Sequence, residues 1–321
     1  MKQYVIIGNS IAAVGAIESI RRVDTEGAIT VVSQEPHAVY GRPLISYWLW
    51  GKTDRERMNY RPADFYEKNG VTLLLGKTAA AIDPKAQTVS LESGEVLPYD
   101  ELLVATGSRP FVPPMQGLDT VDKVFSFMTL DDAAALGEAI TSESRVLIVG
   151  AGLIGLKCAE GIHERVKEIT VVDMADRILP SVLDEASSKR VQTYLEQKGL
   201  RFMLSDSAAT FDKHQVTLKS GKTIDFDILV LAVGVRPNTE LVAQAGGEVA
   251  RGIVADTSGR TSLPHVYAAG DCCESYDITA GQRRVLALLP NAYRQGEAAG
   301  YAMAGEEKPF DTAMPLNAVG F

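Results

Sequence analysis

The sequence predicts an α/β chain with two doubly wound, three-layer domains, the second inserted into the first. A unit of strand, glycine turn, helix and strand occurs twice, starting at residue 4 and at residue 146. Each copy is followed by an apolar strand that ends in a glycine turn, at residues 100–107 and 227–234. Alternation of such strands and helices is typical of parallel sheets covered on both faces.

The second copy carries the complete glycine pattern. The apolar run 146–149 has the length of a buried strand, and Gly150, Gly152 and Gly155 follow it. A helical pattern and a second strand then end at Asp173. This order predicts a dinucleotide site in which the first glycine allows a tight turn, the second lets a pyrophosphate approach, and the third allows close packing. An acid at Asp173 favours NAD(H) because it would repel a 2′-phosphate. The predicted cofactor-binding residues here are Gly150, Gly152, Leu153, Ile154, Gly155, Asp173 and Gly234.

The first copy carries an incomplete glycine pattern. Ser10 stands where the second glycine is usual and Ala13 where the third is, while Glu35 takes the place of the acid. Serine and alanine are small enough to admit a phosphate and a packed helix, so beside a complete copy this unit predicts a second dinucleotide. The residues predicted to bind it are Gly8, Ser10, Ala12, Ala13 and Glu35.

Length and composition restrict the function. With 321 residues the chain is long enough for two domains, which we place at residues 1–112 plus 241–321 and at residues 113–240. A net charge of −9 disfavours nucleic acid and anionic membranes as partners. No apolar run reaches membrane-spanning length, and a strand follows Met1 too soon for a signal peptide, so we expect a cytoplasmic protein. The scattered four histidines and three cysteines predict neither a metal site nor a disulfide framework.

Taken together, the segments resemble the two-dinucleotide flavoproteins of the pyridine nucleotide–disulfide oxidoreductase superfamily. Within it, the sequence is most similar to the flavin modules of NADH-dependent nitrite reductases and of NADH:rubredoxin or ferredoxin-type reductases. The segments that carry this resemblance are Gly8–Ala13, residues 40–47, Ala105–Gly107, residues 150–157, Gly234–Thr239 and Ala269–Asp271.

The resemblance implies two Rossmann-like domains, with FAD on the first and NAD(P)H on the inserted second. Glu35 would bind the adenosine ribose of FAD, Asp271 the ribityl and pyrophosphate region, and a helix starting at Asn291 would lie beneath the flavin pyrimidine. The resemblance adds the following FAD-binding residues: Arg42, Pro43, Lys52, Ala79, Thr106, Gly107, Arg109, Gly270, Asp271, Asn291 and Ala292.

Two departures from the family bear on the reaction. Disulfide reductases of this superfamily carry cysteines in the flavin-side segment after Arg42, and this chain has none there, so a thiol relay beside the flavin is not expected. Many relatives pair a glutamate with a lysine near the flavin, and here Lys157 and Tyr47 occupy those two positions. We hypothesise that Lys157 and Tyr47 are catalytic, with Lys157 stabilising negative charge at the flavin–nicotinamide junction. A solvent-facing lysine is the alternative.

Two features remain open. Cys272-Cys273 follows Asp271 and is either apolar packing or a functional thiol pair. Family members usually continue into a C-terminal interface domain, so we expect either a truncated chain or a partner that replaces this domain. A homodimer is expected if the full-length protein has it.

The predicted function is FAD-dependent transfer of hydride from NADH to flavin N5, and then of electrons to an acceptor. The expected acceptor is a rubredoxin-like or ferredoxin-like protein, a reductase partner or a small molecule. Two alternatives are an NADH oxidase that uses oxygen directly and a non-catalytic assembly module that senses FAD and NAD.

Overall fold

A computed structural model of the protein describes residues 1–316. Its helices alternate with strands along most of this range, as the sequence predicts. The α-helices are α1 (Ile11–Val23), α2 (Ile45–Leu49), α3 (Phe65–Lys68), α4 (Leu130–Ala139), α5 (Leu153–Ile162), α6 (Glu185–Gln197), α7 (Glu240–Gln244) and α8 (Leu289–Ala304).

The strands form two large sheets and four small ones. They are β1 (Gln3–Ile7), β2 (Ala28–Ser33), β3 (Val71–Leu75), β4 (Ala79–Asp83), β5 (Thr88–Leu91), β6 (Val96–Pro98), β7 (Glu101–Val104), β8 (Ser108–Pro110), β9 (Val124–Phe125), β10 (Arg145–Val149), β11 (Glu168–Val172), β12 (Leu200–Met203), β13 (Ala208–Asp212), β14 (Gln215–Leu218), β15 (Thr223–Asp225), β16 (Ile228–Leu231), β17 (Val235–Pro237), β18 (Val266–Ala268), β19 (Ser275–Asp277) and β20 (Gln282–Arg284).

The described chain divides into two compact units. The first contains Met1–Tyr40, Asn59–Ser108 and residues 237–316, and the second contains Gly41–Met58 and Arg109–Arg236. The chain passes from the first unit to the second after residue 108 and returns to the first after residue 236. Each of these points lies four residues before the boundary that we placed, at 112 and at 240. The segment Gly41–Met58, which the sequence argument left in the first domain, clusters with the second unit because its helix α2 packs on α4 and α5.

The first unit is built on a parallel sheet in the order β18-β7-β1-β2-β3. Helices α1 and α8 cover one face with an apolar cluster that includes Ile6, Ile17 and Met303. The antiparallel sheet β4-β5-β6 and helix α7 cover the other face, where Leu102 and Val242 are fully buried. Burial on both faces explains why its central strands are almost continuously apolar.

Glycines bring α1 and α8 into close contact. A Cβ added at Gly296 would lie 1.9 Å from the Ala12 carbonyl oxygen, and one added at Gly15 would lie 2.3 Å from that of Tyr293. Both distances are far below van der Waals contact with rigid backbone. The two helices therefore pack backbone to backbone, which fixes the N-terminus of α1 relative to that of α8.

The second unit repeats the same design. Its parallel sheet has the order β12-β11-β10-β16-β9, and the antiparallel sheet β13-β14-β15 precedes β16 as β4-β5-β6 precedes β7. An apolar cluster with Leu147, Phe226 and Leu229 lies under that small sheet. The predicted α/β fold class with two doubly wound domains is confirmed.

One predicted helix start was wrong by two residues. The last helix starts at Leu289 rather than at Asn291, because Pro290 is accommodated in the first turn, where no backbone donor is needed. Helix α3 is the single turn Phe65–Lys68. Helix α6 begins after Asp184, which caps it by accepting a hydrogen bond from the Ser187 amide at 2.7 Å.

Candidate functional site

The first unit forms a nucleotide cradle where β1 meets α1. Gly8 has φ +114°, and a Cβ there would lie 2.1 Å from the Ala105 carbonyl oxygen, so only glycine fits the turn. Ser10 is the N-cap residue of α1 and makes no side-chain capping bond. Ala12 and Ala13 are buried against the core, which shows why alanine is tolerated where the third glycine is usual. The uncapped helix N-terminus can bind a phosphate through its backbone amides.

The predicted ribose acid, Glu35, is held by a tyrosine. The Tyr40 hydroxyl donates to Glu35 Oε2 at 2.6 Å, and Tyr40 itself is buried. Behind it, the Tyr66 hydroxyl donates to Asn9 Oδ1 at 2.8 Å and accepts from the Val39 amide at 3.1 Å. These bonds join the glycine turn to the loop after β2. Sequence reasoning placed Glu35 but assigned no role to Tyr40 or Tyr66, because their partners are set by the folded loop.

A reciprocal clamp fixes the turn after β7. The Thr106 hydroxyl donates to the Asn238 carbonyl at 2.8 Å, and Asn238 Nδ2 donates to the Thr106 carbonyl at 2.9 Å. The Asn238 amide also donates to the Gly107 carbonyl at 2.9 Å. Thr106 and Gly107 were predicted to bind FAD, whereas Asn238 was noted only as part of a motif.

Of the other predicted positions, Ala79 begins β4, and Arg109 is exposed in β8 and belongs to the second unit.

The turn after β18 meets the start of α8. Gly270 donates its amide to Gln295 Oε1 at 2.7 Å, and Gln295 Nε2 donates to Ser275 Oγ at 2.8 Å. Gln295 is buried, so this amide fixes the turn that carries Asp271. Asn291 and Ala292 are buried in the first turn of α8, and a Cβ at Gly270 would lie 3.8 Å from Ala292 Cβ and 3.4 Å from Ala12 Cβ. The predicted residues Ala12, Gly270, Asp271, Asn291 and Ala292 are thus brought together, and Gln295 was missed.

The second unit forms an equivalent cradle in which each glycine has the predicted environment. Gly150 has φ +117°, and a Cβ there would lie 2.2 Å from the Ala232 carbonyl oxygen. A Cβ at Gly155 would lie 2.0 Å from the Gly150 carbonyl oxygen. At Gly152, apart from its chain neighbours, no atom of the described residues lies within 4 Å of that position. The space beside Gly152, at the start of α5, is therefore open to a ligand.

Asp173 lies at the end of β11 and is fixed against this turn. Its Oδ2 accepts the Ala151 amide at 2.6 Å, and its Oδ1 accepts the Ala175 amide at 2.8 Å. Each carboxylate oxygen has a second lone pair that can accept a ribose hydroxyl. Leu153 and Ile154, the first residues of α5, are half-buried, and Gly234 occupies the turn after β16 with φ +125°.

The predicted flavin-side residues lie in the segment that packs with the second unit. Arg42 donates from Nη1 to the Met128 carbonyl at 3.0 Å, and the neighbouring Pro43 is exposed. Lys52 Nζ lies 4.6 Å from the centre of the Trp50 ring. Whether Arg42, Pro43 and Lys52 bind FAD stays a prediction.

The two predicted catalytic residues are neighbours within the second unit. Lys157 Nζ lies 4.9 Å from the centre of the Tyr47 ring, in the range of a cation–π contact. Lys157 also forms an ion pair with Glu160 at 2.7 Å, with 21% of the lysine side chain and 7% of the glutamate side chain exposed. Lys157 is therefore mostly buried rather than a solvent-facing lysine. Glu160 was not singled out from the sequence.

The cysteines are poorly suited to redox chemistry. Cys158, Cys272 and Cys273 are free and buried. Cys272 Sγ donates to the Ala269 carbonyl at 3.3 Å, and Cys273 Sγ donates to the Gly270 carbonyl at 3.4 Å. Burial raises the pKa of all three thiols, which disfavours the reactive thiolate. These contacts favour the packing interpretation of Cys272-Cys273.

Comparisons with known proteins agree with this geometry. The profile of the family described as pyridine nucleotide-disulphide oxidoreductase matches residues 2–296. The chain is 34% identical over 316 residues to the NAD(P)H nitrite reductase of Bacillus subtilis, covering 97% of this chain but 38% of that protein. It is 33% identical over 325 residues to the NADH-dependent phenylglyoxylate dehydrogenase subunit epsilon of Aromatoleum evansii, covering 99% of this chain and 77% of that subunit.

A solved structure is also similar. The chain superposes on the covalent putidaredoxin reductase–putidaredoxin complex with a TM-score of 0.89 and 27% identity, over 97% of this chain and 77% of that one. None of the helices within residues 1–316 is long and apolar enough to cross a membrane.

Proposed function

The chain belongs to the pyridine nucleotide-disulphide oxidoreductase family, and we propose that it is an FAD-containing, NADH-dependent oxidoreductase that passes electrons to a separate acceptor. Members of this family are NAD(P)H-dependent flavoprotein oxidoreductases. The observation that carries the proposal is the matched pair of cradles, since a Cβ added at Gly8 or at Gly150 would lie 2.1 or 2.2 Å from a carbonyl oxygen of the turn after the neighbouring strand.

The residues present fit both cofactors. In the first unit, Glu35 would bind the adenosine ribose of FAD, the amides at the start of α1 would bind its pyrophosphate, and Asp271 its ribityl region. In the second unit, the open space at Gly152 would admit the pyrophosphate of NADH, and Asp173 would bind its adenosine ribose. We therefore assign FAD to the domain at residues 1–112 and 241–321, and NADH to residues 113–240.

The chemistry of transfer needs little from side chains. When both cofactors are bound, NADH supplies a hydride from nicotinamide C4 and FAD accepts it at N5. The chain binds the two ligands, orients them and excludes water, and proximity supplies most of the acceleration. The proposed role of Lys157 is to place positive charge where negative charge develops on hydride transfer, with Tyr47 against its ammonium.

The acceptor is proposed to be a ferredoxin-like or rubredoxin-like protein, a reductase partner or a small molecule. The three buried thiols and the absence of cysteine between Arg42 and Met58 argue against a disulfide relay. The likeness to the putidaredoxin reductase–putidaredoxin complex supports a protein acceptor. The free state of the three cysteines is compatible with the reducing cytoplasm, which we propose as the location.

Reconstitution and an acceptor panel test this proposal. The purified chain should take up FAD and turn yellow, and NADH should reduce the bound flavin faster than NADPH. Turnover should rise when an oxidised rubredoxin or ferredoxin is added. Fast NADH consumption with oxygen alone would favour the oxidase alternative. Binding of both nucleotides without turnover on any acceptor would favour a sensing module, and failure to bind FAD would refute the proposal.

A further inference from the structure

An arginine outside the predicted site links two helices of the first unit to a loop. Arg61 binds Glu18 of α1 with both sides of its guanidinium, Nε at 2.7 Å from Oε1 and Nη2 at 3.3 Å from Oε2. The Tyr293 hydroxyl of α8 donates to the same Oε2 at 2.7 Å. Only 26% of the Arg61 side chain and 21% of the Glu18 side chain are exposed. The contact is therefore a mostly buried, forked ion pair.

The guanidinium is held in one orientation. Burial acts to raise the pKa of Glu18, but hydrogen bonds from Arg61 and Tyr293 outweigh it and leave this pKa lowered, so the carboxylate is ionised at neutral pH. The Arg61 guanidinium also lies 4.6 Å from the centre of the Tyr60 ring, and its Nη1 donates to the Tyr60 carbonyl at 3.1 Å. Arg61 thus fixes its own loop as well as its partner on α1.

The loop that Arg61 holds pairs with the segment that carries the partner of the ribose acid. The Tyr60 amide donates to the Val39 carbonyl at 3.1 Å, directly before Tyr40. The Tyr40 hydroxyl donates to Glu35 at 2.6 Å. A continuous series of contacts within the first unit therefore leads from Arg61 to Glu35.

This pairing is short and needs support. The chain leaves the first unit after Tyr40 and returns to it at Asn59, and these two residues form an antiparallel bridge. A pair of short strands is marginally stable by itself. The Tyr66 hydroxyl supports one side by accepting a hydrogen bond from the Val39 amide at 3.1 Å. Arg61 supports the other side by anchoring it to α1.

Arg61 therefore joins the two parts of the first cradle. The amides at the start of α1 form the proposed pyrophosphate site, and Glu35 is the proposed ligand of the adenosine ribose. Pyrophosphate and ribose belong to the same half of FAD, so the acid must lie at a fixed distance from the helix to bind both at once.

We propose that Arg61 is a positioning residue that sets the place of Glu35 relative to α1, and that its ion pair with Glu18 determines the affinity of the first cradle for the adenosine diphosphate half of FAD. The inference rests on the proposed function, in which FAD binds to the first unit. Arg61 acts through Tyr40, so its effect is confined to the adenosine end of the cofactor.

Titration of the apoprotein with FAD, ADP and FMN separates the two ends of the cofactor. Arg61→Met keeps most of the length of the side chain but removes its charge and its fork. It should raise the Kd for FAD and the Kd for ADP by the same factor, at least threefold. The Kd for FMN, which lacks the adenosine, should stay within twofold of wild type. An unchanged Kd for FAD and ADP, or an equal loss for FMN, contradicts the positioning role.

A double-mutant cycle tests the route through Tyr40. Adding Arg61→Met to Tyr40→Phe should raise the Kd for FAD by less than a further twofold, because both changes release the same acid. If the two effects multiply in full, Arg61 acts independently of Tyr40 and the proposed route is wrong.

Arg260→Met is the matched control. Arg260 belongs to the same unit, donates to Glu307 at 3.1 Å and lies 5.9 Å from the centre of the Tyr267 ring, so it has the same kinds of partner as Arg61. Its removal should leave all three Kd values within twofold of wild type. If Arg61→Met fails to fold, Arg61→Lys, which keeps the charge but loses the fork, should shift the Kd for FAD and ADP in the same direction by less.

The outcomes separate the inference from the function. If wild-type protein binds FAD and is reduced by NADH, but the Arg61 variants bind FAD and ADP as tightly as wild type or lose FMN equally, the inference is wrong and the function stands. If wild-type protein does not bind FAD, the proposed function fails, and the inference fails with it.

Discussion

Gly152→Ala separates the folding role of the glycine turn from its binding role. Gly152 has φ −80° and ψ −176°, an extended conformation that alanine adopts without strain. No non-neighbouring atom of the described chain lies within 4 Å of the added methyl group. The free energy of unfolding should therefore change little or rise by about 0.4–1 kcal/mol, as for glycine replaced at a compatible site.

The same methyl group occupies the space where a pyrophosphate would approach the backbone. Loss of one hydrogen bond to a charged phosphate costs about 1.5–3 kcal/mol. That loss raises the Kd for NADH about 10-fold to 100-fold, since 1.4 kcal/mol is a factor of ten. Isothermal titration with NADH and urea unfolding measure the two quantities on the same preparation, and the FAD content should stay at the wild-type level.

Gly155→Ala is the matched control, because its methyl group would lie 2.0 Å from the Gly150 carbonyl oxygen within the protein itself. It should lower the free energy of unfolding by about 1–3 kcal/mol or more. A Gly152→Ala protein of wild-type stability that binds NADH as tightly as wild type would refute the assignment of this turn.

Three further predictions address other parts of the fold. Tyr40→Phe removes the hydroxyl that donates to Glu35. Titration of the apoprotein with FAD should show a Kd about fivefold higher, a loss of about 1 kcal/mol of binding free energy. An unchanged Kd would mean that Tyr40 does not orient the acid. Gly296→Ala places a methyl group 1.9 Å from a carbonyl oxygen of α1. It should lower the free energy of unfolding by about 1–3 kcal/mol, despite the better helix propensity of alanine. A higher urea midpoint than wild type would contradict the close packing. Hydrogen bonding from Arg145 lowers the pKa of Asp227 to about 2. The ionised Asp227 therefore stabilises the fold fully at a pH above its pKa in the unfolded chain, near 4, and this stabilisation is lost as the pH falls toward 2. Because the Asp227 side chain is 39% exposed, Asp227→Asn should lower the free energy of unfolding at pH 7 by about 1 kcal/mol or less. When urea unfolding is repeated from pH 5 down to pH 3, the difference in free energy of unfolding from wild type should shrink. A difference that stays constant with pH would exclude this linkage.

The parts of the fold that depend on local sequence could be predicted. Apolar runs of strand length, glycine turns and acids at strand ends lie within about 30 residues of each other, so one unit can be read from one segment. The structure confirms the two-domain α/β design and places each glycine of the second turn in its expected environment.

The contacts that position the sites depend on residues far apart in sequence. Thr106 and Asn238 are 132 residues apart, and Gly270 and Gln295 are 25 residues apart. No periodicity or spacing indicates that such residues will meet. The packing of α2 on α5 also joins separate parts of the chain, and it brings Tyr47 to Lys157.

An anaerobic NADH titration of the FAD-loaded protein, followed by the flavin absorbance band, tests the central claim most directly. If hydride passes from NADH to the flavin as proposed and no thiol pair stores electrons, the band should be fully bleached after one equivalent of NADH per FAD. Bleaching that requires two equivalents would contradict the account by revealing a second electron store, and a band that NADH does not bleach would refute the transfer itself.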